Sequence, residues 1–268
     1  VIDLTILRAS LELRRVSLLW YAIGITAYGW MIVAFFPLVE ATPGYVDMAK
    51  ELLSEELMAA FGGAGLEFTT LGGFLGIEYL SLIWVFILGA AVITFAAGAI
   101  GGAVENGTME VTLSQPVSRS TVAATRYLGM VIYAAALNLV TVATIYFPGL
   151  LHGVDVSLGA MGLLFVAGML ITLAMGSFAF AISAMSSGKG RVIAVSLGAL
   201  VAMYLADVLG NLADKAAWLM RFSLFHYWKP NEVIDDLMLA PATWQVFGVV
   251  TVLFFAVGMY AFQRRDVV

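Results

Sequence analysis

Across 268 residues the chain is 62% hydrophobic and only 12% charged, with a mean hydropathy of +0.99 and a formal charge of −5. Soluble domains carry about a quarter of their residues as charges, so this balance excludes an ordinary water-soluble fold. No cysteine is present, which removes disulfides and thiolate ligands from consideration.

Several uncharged runs reach the roughly 20 apolar residues that one helical crossing of a bilayer needs. Lipid offers no partner to free backbone groups, so helices are the natural spanning element, and the short alternating segments of an outer-membrane barrel are missing. The expected class is an all-α integral membrane protein, a single transmembrane domain over residues 1–268.

In chain order, residues 2–15 place Ile2, Ile6, Ala9, Leu13 and Val16 on one apolar stripe, with Arg8, Glu12 and Arg15 on another side. This reads as an amphipathic helix lying along the interface, although a plain extension of the first span fits the pattern equally well. Nothing here resembles a cleaved leader, so the first span is expected to be kept as an anchor. That span covers about 16–39, and Pro37 and Pro43 bracket its far end. Residues 40–78 form an acid-rich loop. Within it Thr42-Pro43 starts a helix and Gly62-Gly63 stops it, and Tyr45, Met48, Leu52, Leu53 and Leu57 lie opposite Asp47, Lys50, Ser54 and Glu55. An external amphipathic helix is expected there.

The second span is expected over 79–104, the third over 122–150, the fourth over 158–185 and the fifth over 192–209. An aromatic outer segment, 210–241, with Phe222, Phe225, Tyr227 and Trp228, precedes the sixth span at 242–262. With both termini inside, the inner segments hold Arg8, Arg14, Arg15, Arg119, Arg126, Lys189, Arg191, Arg264 and Arg265. The outer segments hold Lys50, Lys215, Arg221 and Lys229. The positive-inside rule therefore orients both termini toward the cytoplasm.

No span carries Lys, Arg or Glu at its centre, and Asp207 sits near an outer helix end. Carriers driven by protons or sodium usually need such intramembrane charges, so their absence counts against that class. Asn138, Thr141, Thr144, Thr172 and Ser177 suit helix-to-helix hydrogen bonds better than substrate contacts. Gly98 with Gly102, and Gly149 with Gly153, have the small-residue spacing of close helix pairs, a weak signal among 27 glycines. His152 and His226 stand alone without metal spacing, and no nucleophile turn occurs. Asp235-Asp236 reads as a solvated pair. The turn Ser186-Ser187-Gly188-Lys189-Gly190 imitates the end of a phosphate loop. However, Ser183 replaces the first glycine and Gly190 the magnesium-binding hydroxyl, so no nucleotide site is expected on this chain.

What remains is the polar stretch 105–120. Glu105-Asn106-Gly107 ends a helix, and residues 108–114 are long enough for about two turns, offering Met109, Val111 and Leu113 for contact. After Gln115, Pro116 keeps this piece from fusing with the next span, Ser118 or Ser120 can cap that span, and Arg119 and Arg126 stand near headgroup level. A simple connection needs only a few residues, so a docking element is the preferred reading.

This stretch, Glu105-Asn106-Gly107-Thr108-Met109-Glu110 through Leu113 and Gln115-Pro116-Val117-Ser118-Arg119, resembles a signature of bacterial ABC exporter permeases of the second type. That signature runs Glu-x-x-x-Gly-Thr-(Leu/Met)-Glu-x-Leu-Leu-(Ser/Ala)-x-Pro-Val-(Ser/Thr)-Arg. The present chain departs in having only Asn106 between Glu105 and Gly107. The large first outer loop, Gly62-Gly63, and Ser223-Leu224-Phe225-His226-Tyr227, with Leu224 where proline is frequent, are also similar to the family.

The resemblance implies an elbow helix at the N-terminus, a coupling helix between spans two and three, and a re-entrant outer element over 210–241. It also implies a permease in the bacterial inner membrane, paired with a second copy or a related partner and with two copies of an ATP-binding subunit that carry the ATP and magnesium. Nucleic acid is not expected as a partner, and no cofactor is expected on this chain. In the coupling segment Glu105 and Glu110 would make charge contacts to the ATPase, and Met109 and Leu113 would fill its cleft, with Asn106, Gly107, Thr108, Gln115, Pro116 and Arg119 completing the segment. The apolar interior suits a hydrophobic or amphipathic substrate. The competing classes are an independent carrier or channel, and a membrane scaffold or lipid-modifying enzyme.

Overall fold

The computed structural model describes residues 2–42 and 70–265, and among these the chain is helical, with no strand. The amphipathic helix expected around 45–57 and the Gly62-Gly63 stop lie outside the described residues.

The first element, α1 (Leu4–Glu12), is a separate helix. Asp3 starts it by accepting the N–H groups of Thr5 at 2.8 Å and Ile6 at 3.0 Å, as a capping aspartate does. The Asp3 N–H itself donates to Thr125 Oγ1 at 3.1 Å, which ties α1 to the start of the third span. Leu4 and Leu13 stay exposed, an arrangement suited to an apolar surface rather than to water. A turn at Leu13-Arg14 leads into α2 (Arg15–Ala41), which runs through Pro37 to end beyond it.

The second span is not one helix. It consists of α3 (Leu71–Leu75), a π-turn at Gly76–Leu80, α4 (Ile83–Ala99) and α5 (Gly101–Glu105). The chain bends by 51° at the first break, around Leu82, and α4 ends at a second, Ile100. Breaks in an apolar layer expose backbone groups that water cannot reach, and here other helices supply the partners. The Leu80 carbonyl accepts Trp228 Nε1 at 2.9 Å and the Glu78 carbonyl accepts the Tyr28 hydroxyl at 3.0 Å. At the second break Ser183 Oγ accepts the Gly101 N–H at 2.9 Å and donates to the Ala97 carbonyl at 3.4 Å. The Ala99 carbonyl accepts from the Arg126 guanidinium.

The remaining elements are α6 (Thr108–Leu113), α7 (Arg119–His152), α8 (Leu158–Met185), α9 (Lys189–Leu212), a 3₁₀ segment at Asp214–Phe222, α10 (Leu224–Tyr227), α11 (Pro230–Asp235) and α12 (Pro241–Arg264). Helices α2, α7, α8, α9 and α12 are each long and apolar enough to cross a membrane, and the bent pair ending in α4 makes a sixth candidate.

The core lies between α4 and α8. Helix α8 packs against α4, α7, α9 and, most extensively, α12, while α2, α9 and α12 turn broad apolar faces outward. Buried polar side chains join these helices. Trp84 Nε1 donates to Thr141 Oγ1 at 2.8 Å, Asn138 Nδ2 to Thr172 Oγ1 at 3.3 Å, and the Tyr127 and Ser177 hydroxyls meet at 2.7 Å. Gly168 is required where it stands, because the Asn138 carboxamide and the Trp84 ring occupy the space a β-carbon would take.

The aromatic segment after α9 folds back onto the bundle. Trp228 is buried and stacks on Trp84, with ring centroids 5.2 Å apart and planes 12° from parallel. Asp235 is not the solvated acid that its neighbour Asp236 suggests. Its carboxylate accepts the Thr70 hydroxyl at 2.7 Å and the Gly72 N–H at 2.8 Å, so it closes the start of α3 from 163 residues away in the chain. Sequence patterns register the acid but not its distant partner.

Trp228→Phe keeps the ring stack and leaves the Leu80 carbonyl unpaired. It is expected to cost about 1–3 kcal/mol and to lower the melting temperature of the detergent-purified protein. An unchanged melting temperature would show that the break does not depend on this bond.

Candidate functional site

The stretch 105–120 forms a compact protrusion at the end of the bundle that carries Arg119, Arg126, Lys189, Arg264 and Arg265. Helix α5 stops at Asn106, and Gly107 reverses the chain with φ +70°, a left-handed conformation that a side chain would strain by about 1–2 kcal/mol. Helix α6 follows, and the Thr108 hydroxyl donates back to the Ala103 carbonyl at 3.1 Å. Beyond Ser114 the chain turns tightly, with the Val117 N–H donating to the Gln115 carbonyl at 2.7 Å across Pro116. Ser118 Oγ then accepts the Thr121 N–H at 3.1 Å and starts α7. Of the two serines proposed as caps, Ser118 is the one used.

Side-chain placement in this segment reverses part of the expectation. Met109 is wholly buried and belongs to the chain's own core, so it anchors α6 instead of filling a partner's cleft. Leu113 is half-buried against that core. The apolar residue left outside is Val111, 67% exposed, next to exposed Glu110, Ser114, Gln115 and Pro116. Asn106, Gly107 and Thr108 are also exposed. A helix of six residues completes fewer than two turns, too few for periodicity to say which of Met109 and Val111 faces inward.

Glu105 also differs from the expectation. Its Oε2 accepts the backbone N–H of Lys189 at 2.7 Å, at the first turn of α9. The N-cap residue there is Gly188, which has no side chain to offer. A carboxylate at a helix N-terminus satisfies an orphan donor and meets the positive end of the helix dipole. Glu105 thus links the segment after the second span to the start of the fifth, and its oxygen is engaged within the chain before any partner arrives.

Arg119 likewise turns inward. Its guanidinium donates to the Arg265 carbonyl, and Arg265 Nη1 donates to the carbonyls of Ala184 at 3.2 Å and Ser186 at 2.7 Å. Those carbonyls end α8, where helical acceptors lack intrahelical donors. Burial holds the Arg265 guanidinium below its ordinary value. The protrusion is therefore stitched to α8 through Arg119 and Arg265, to α9 through Glu105, and to the core through Met109.

Reading the sequence missed two participants. Ser183 appears there only as a residue that spoils a phosphate loop, and Lys189 only as a positive turn residue, because both act through partners more than 80 residues away. Among the described residues no group of three His, Asp or Glu side chains stands close enough to hold a metal ion.

The family model described as ABC-2 family transporter protein matches residues 26–267, a span that takes in the whole of this protrusion. No curated protein matches the chain.

Glu105→Ala removes the acceptor at the α9 N-terminus. A lost cap is worth about 1 kcal/mol, so amide exchange at Lys189 is expected to speed up about fivefold, with Glu105→Gln intermediate. Unchanged exchange at that amide would show that the contact does not hold the helix end.

Proposed function

Because the chain belongs to the ABC-2 transporter family, a family of multi-pass ABC transporter permeases that associate with ABC ATP-binding subunits, we propose that it is the permease of an ATP-driven exporter and that residues 105–120 receive the motion of that ATPase. One observation carries this reading. The protrusion presents Glu110 and Val111 outward while Met109, Glu105 and Arg119 fasten it to three parts of the bundle.

Such an arrangement transmits force. When the ATP-binding subunits close, they push on the Glu110 and Val111 face, and α6 moves with its buried methionine. The Glu105 carboxylate carries the displacement to the N-terminus of α9, and the Arg119 and Arg265 links carry it to the end of α8. Helix α4, held between the two breaks, tilts as a unit. Two ATP-binding subunits and a second permease copy, identical or related, complete the transporter. ATP and magnesium are bound and hydrolysed on the partner. The positive-inside pattern supports a cytoplasmic position for the protrusion and both termini, and the family resemblance supports the inner membrane of a bacterial cell.

Export of a hydrophobic or amphipathic substrate is supported by the surfaces available. Helices α2 and α9 expose Trp20, Trp30, Val201 and Leu205, and these apolar faces are where two copies would meet and open a path. An open cavity of about 260 Å³ between α8, α9, α12 and the segment after α9 is lined by Met175, Phe178, Leu200, Phe222 and Phe254, apolar groups of the kind that hold such molecules.

Glu110→Arg and Val111→Asp lie on the outer face, so both should fold and insert normally. Each is expected to weaken association with the ATP-binding subunit by about tenfold or more and to abolish coupled transport. Met109→Asp, in contrast, buries a charge and should destabilise the permease itself. Normal coupled transport in both surface variants would sink the proposal.

A further inference from the structure

Beside the protrusion, a cavity of about 530 Å³ opens between α1, the end of α4, α6 and the first turns of α7. Three basic side chains meet on one turn of its wall, residues 98–102. The Arg14 guanidinium lies against Gly98, where a β-carbon would collide with it, and over the Phe95 ring, 5.8 Å from its centroid. Arg126 donates through Nη1 to the Ala99 carbonyl and through Nη2 to Thr112 Oγ1 at 3.4 Å, and its buried Nε has no partner. The Lys189 stem crosses Gly102, its Cβ 3.3 Å from where a methyl group there would sit. The two glycines whose spacing suggests close helix contact instead make room for two cations.

Among the described residues no Asp or Glu lines this cavity. Three nearby acids are already engaged, and Glu110 of α6 is exposed. Asp3 caps α1, Glu12 pairs with Arg8 at 2.8 Å, and Glu105 holds the Lys189 N–H. Gathering like charges in a partly desolvated space is unfavourable for each of them, and burial pulls the Arg14 guanidinium below its ordinary value. An anion in the cavity relieves both effects. Two planar guanidinium groups and the ammonium-bearing side chain of Lys189 line it, a donor set matched to phosphate oxygens.

We propose that this cavity binds the phosphate of an anionic phospholipid headgroup, which bridges α1, the second span and the coupling segment. A lipid source, and not free phosphate, follows from the apolar part of the wall. Ile6, Leu13 and Phe95 contribute to it, and exposed Leu13 and Val16 continue the surface to where α2 enters the bilayer. Acyl chains cover that surface, and a free ion would leave it wet. The bound lipid clamps α1 against the coupling segment and so stabilises the basic end of the permease.

The test uses the full-length protein, delipidated in a neutral detergent, and follows its melting temperature against added dihexanoyl phosphatidylglycerol, dihexanoyl phosphatidylcholine or inorganic phosphate. Phosphatidylglycerol is expected to give a saturable rise that phosphatidylcholine and inorganic phosphate do not reproduce at equal concentration. Arg14→Gln and Lys189→Gln, which leave the Lys189 N–H in place for Glu105, are each expected to weaken the apparent affinity by about tenfold. Native mass spectrometry should show retained phosphatidylglycerol on the parent and loss of it from the double variant. Equal stabilisation by phosphatidylcholine, an equal response to inorganic phosphate, or a parent-like response in the double variant would each overturn the proposal.

Discussion

Lipid removes water as a hydrogen-bond partner, and this constraint governs how the second span can be built. A straight helix would satisfy its own backbone. The chain instead breaks at Leu82 and again at Ile100, and each break is closed by side chains from elsewhere. Tyr28 and Trp228 serve the break at Leu82, and Ser183 and Arg126 the one at Ile100. Much of the rest depends on this. The aromatic segment after α9 must fold back to bring Trp228 to Leu80, α8 must end beside α4 to bring Ser183 to Gly101, and α7 must begin where Arg126 reaches Ala99. Between the breaks, α4 buries most of its length, including Trp84, Leu88 and Phe95.

The basic end follows the same rule for helix termini. The last carbonyls of α8 are satisfied by Arg265, the first N–H of α9 by Glu105, and the start of α7 by Ser118. Satisfying these groups joins segments that are separate in sequence. The protrusion becomes part of a seam instead of a tether, and a partner acting on its outer face acts on three helices. The same seam leaves Arg14, Arg126 and Lys189 around a cavity with no acid in its wall among the described residues, which makes that wall attractive to anions.

Much of this was readable along the chain. Hydropathy located the apolar stretches, Pro116 and Ser118 marked the start of the third span, and Asn138, Thr141, Thr172 and Ser177 carried the look of interhelical hydrogen bonding that the structure shows. The polar stretch after the second span stood out by length and punctuation. The face of α6 did not, because Met109 and Val111 are chemically alike and only two residues apart. Glu105 looked like a docking charge because its partner, a backbone N–H, leaves no mark in a sequence. Gly98 and Gly102 suggested helix contact when they admit Arg14 and Lys189, since spacing reports that something approaches closely and not what it is.

The sequence by itself therefore determined the medium, the helical class, the apolar stretches and the length and punctuation of the polar stretch 105–120. These depend on sums over neighbouring residues, which hydropathy and turn chemistry capture locally. Only the tertiary structure decided where the second span breaks, which side chains of residues 105–120 face outward, and which charges meet. Those outcomes depend on partners far apart in the chain, 148 residues for Trp228 and Leu80, 84 for Glu105 and Lys189 and 82 for Ser183 and Gly101. A hydrogen bond selects its partner by position in space, and position is available only once the helices have packed.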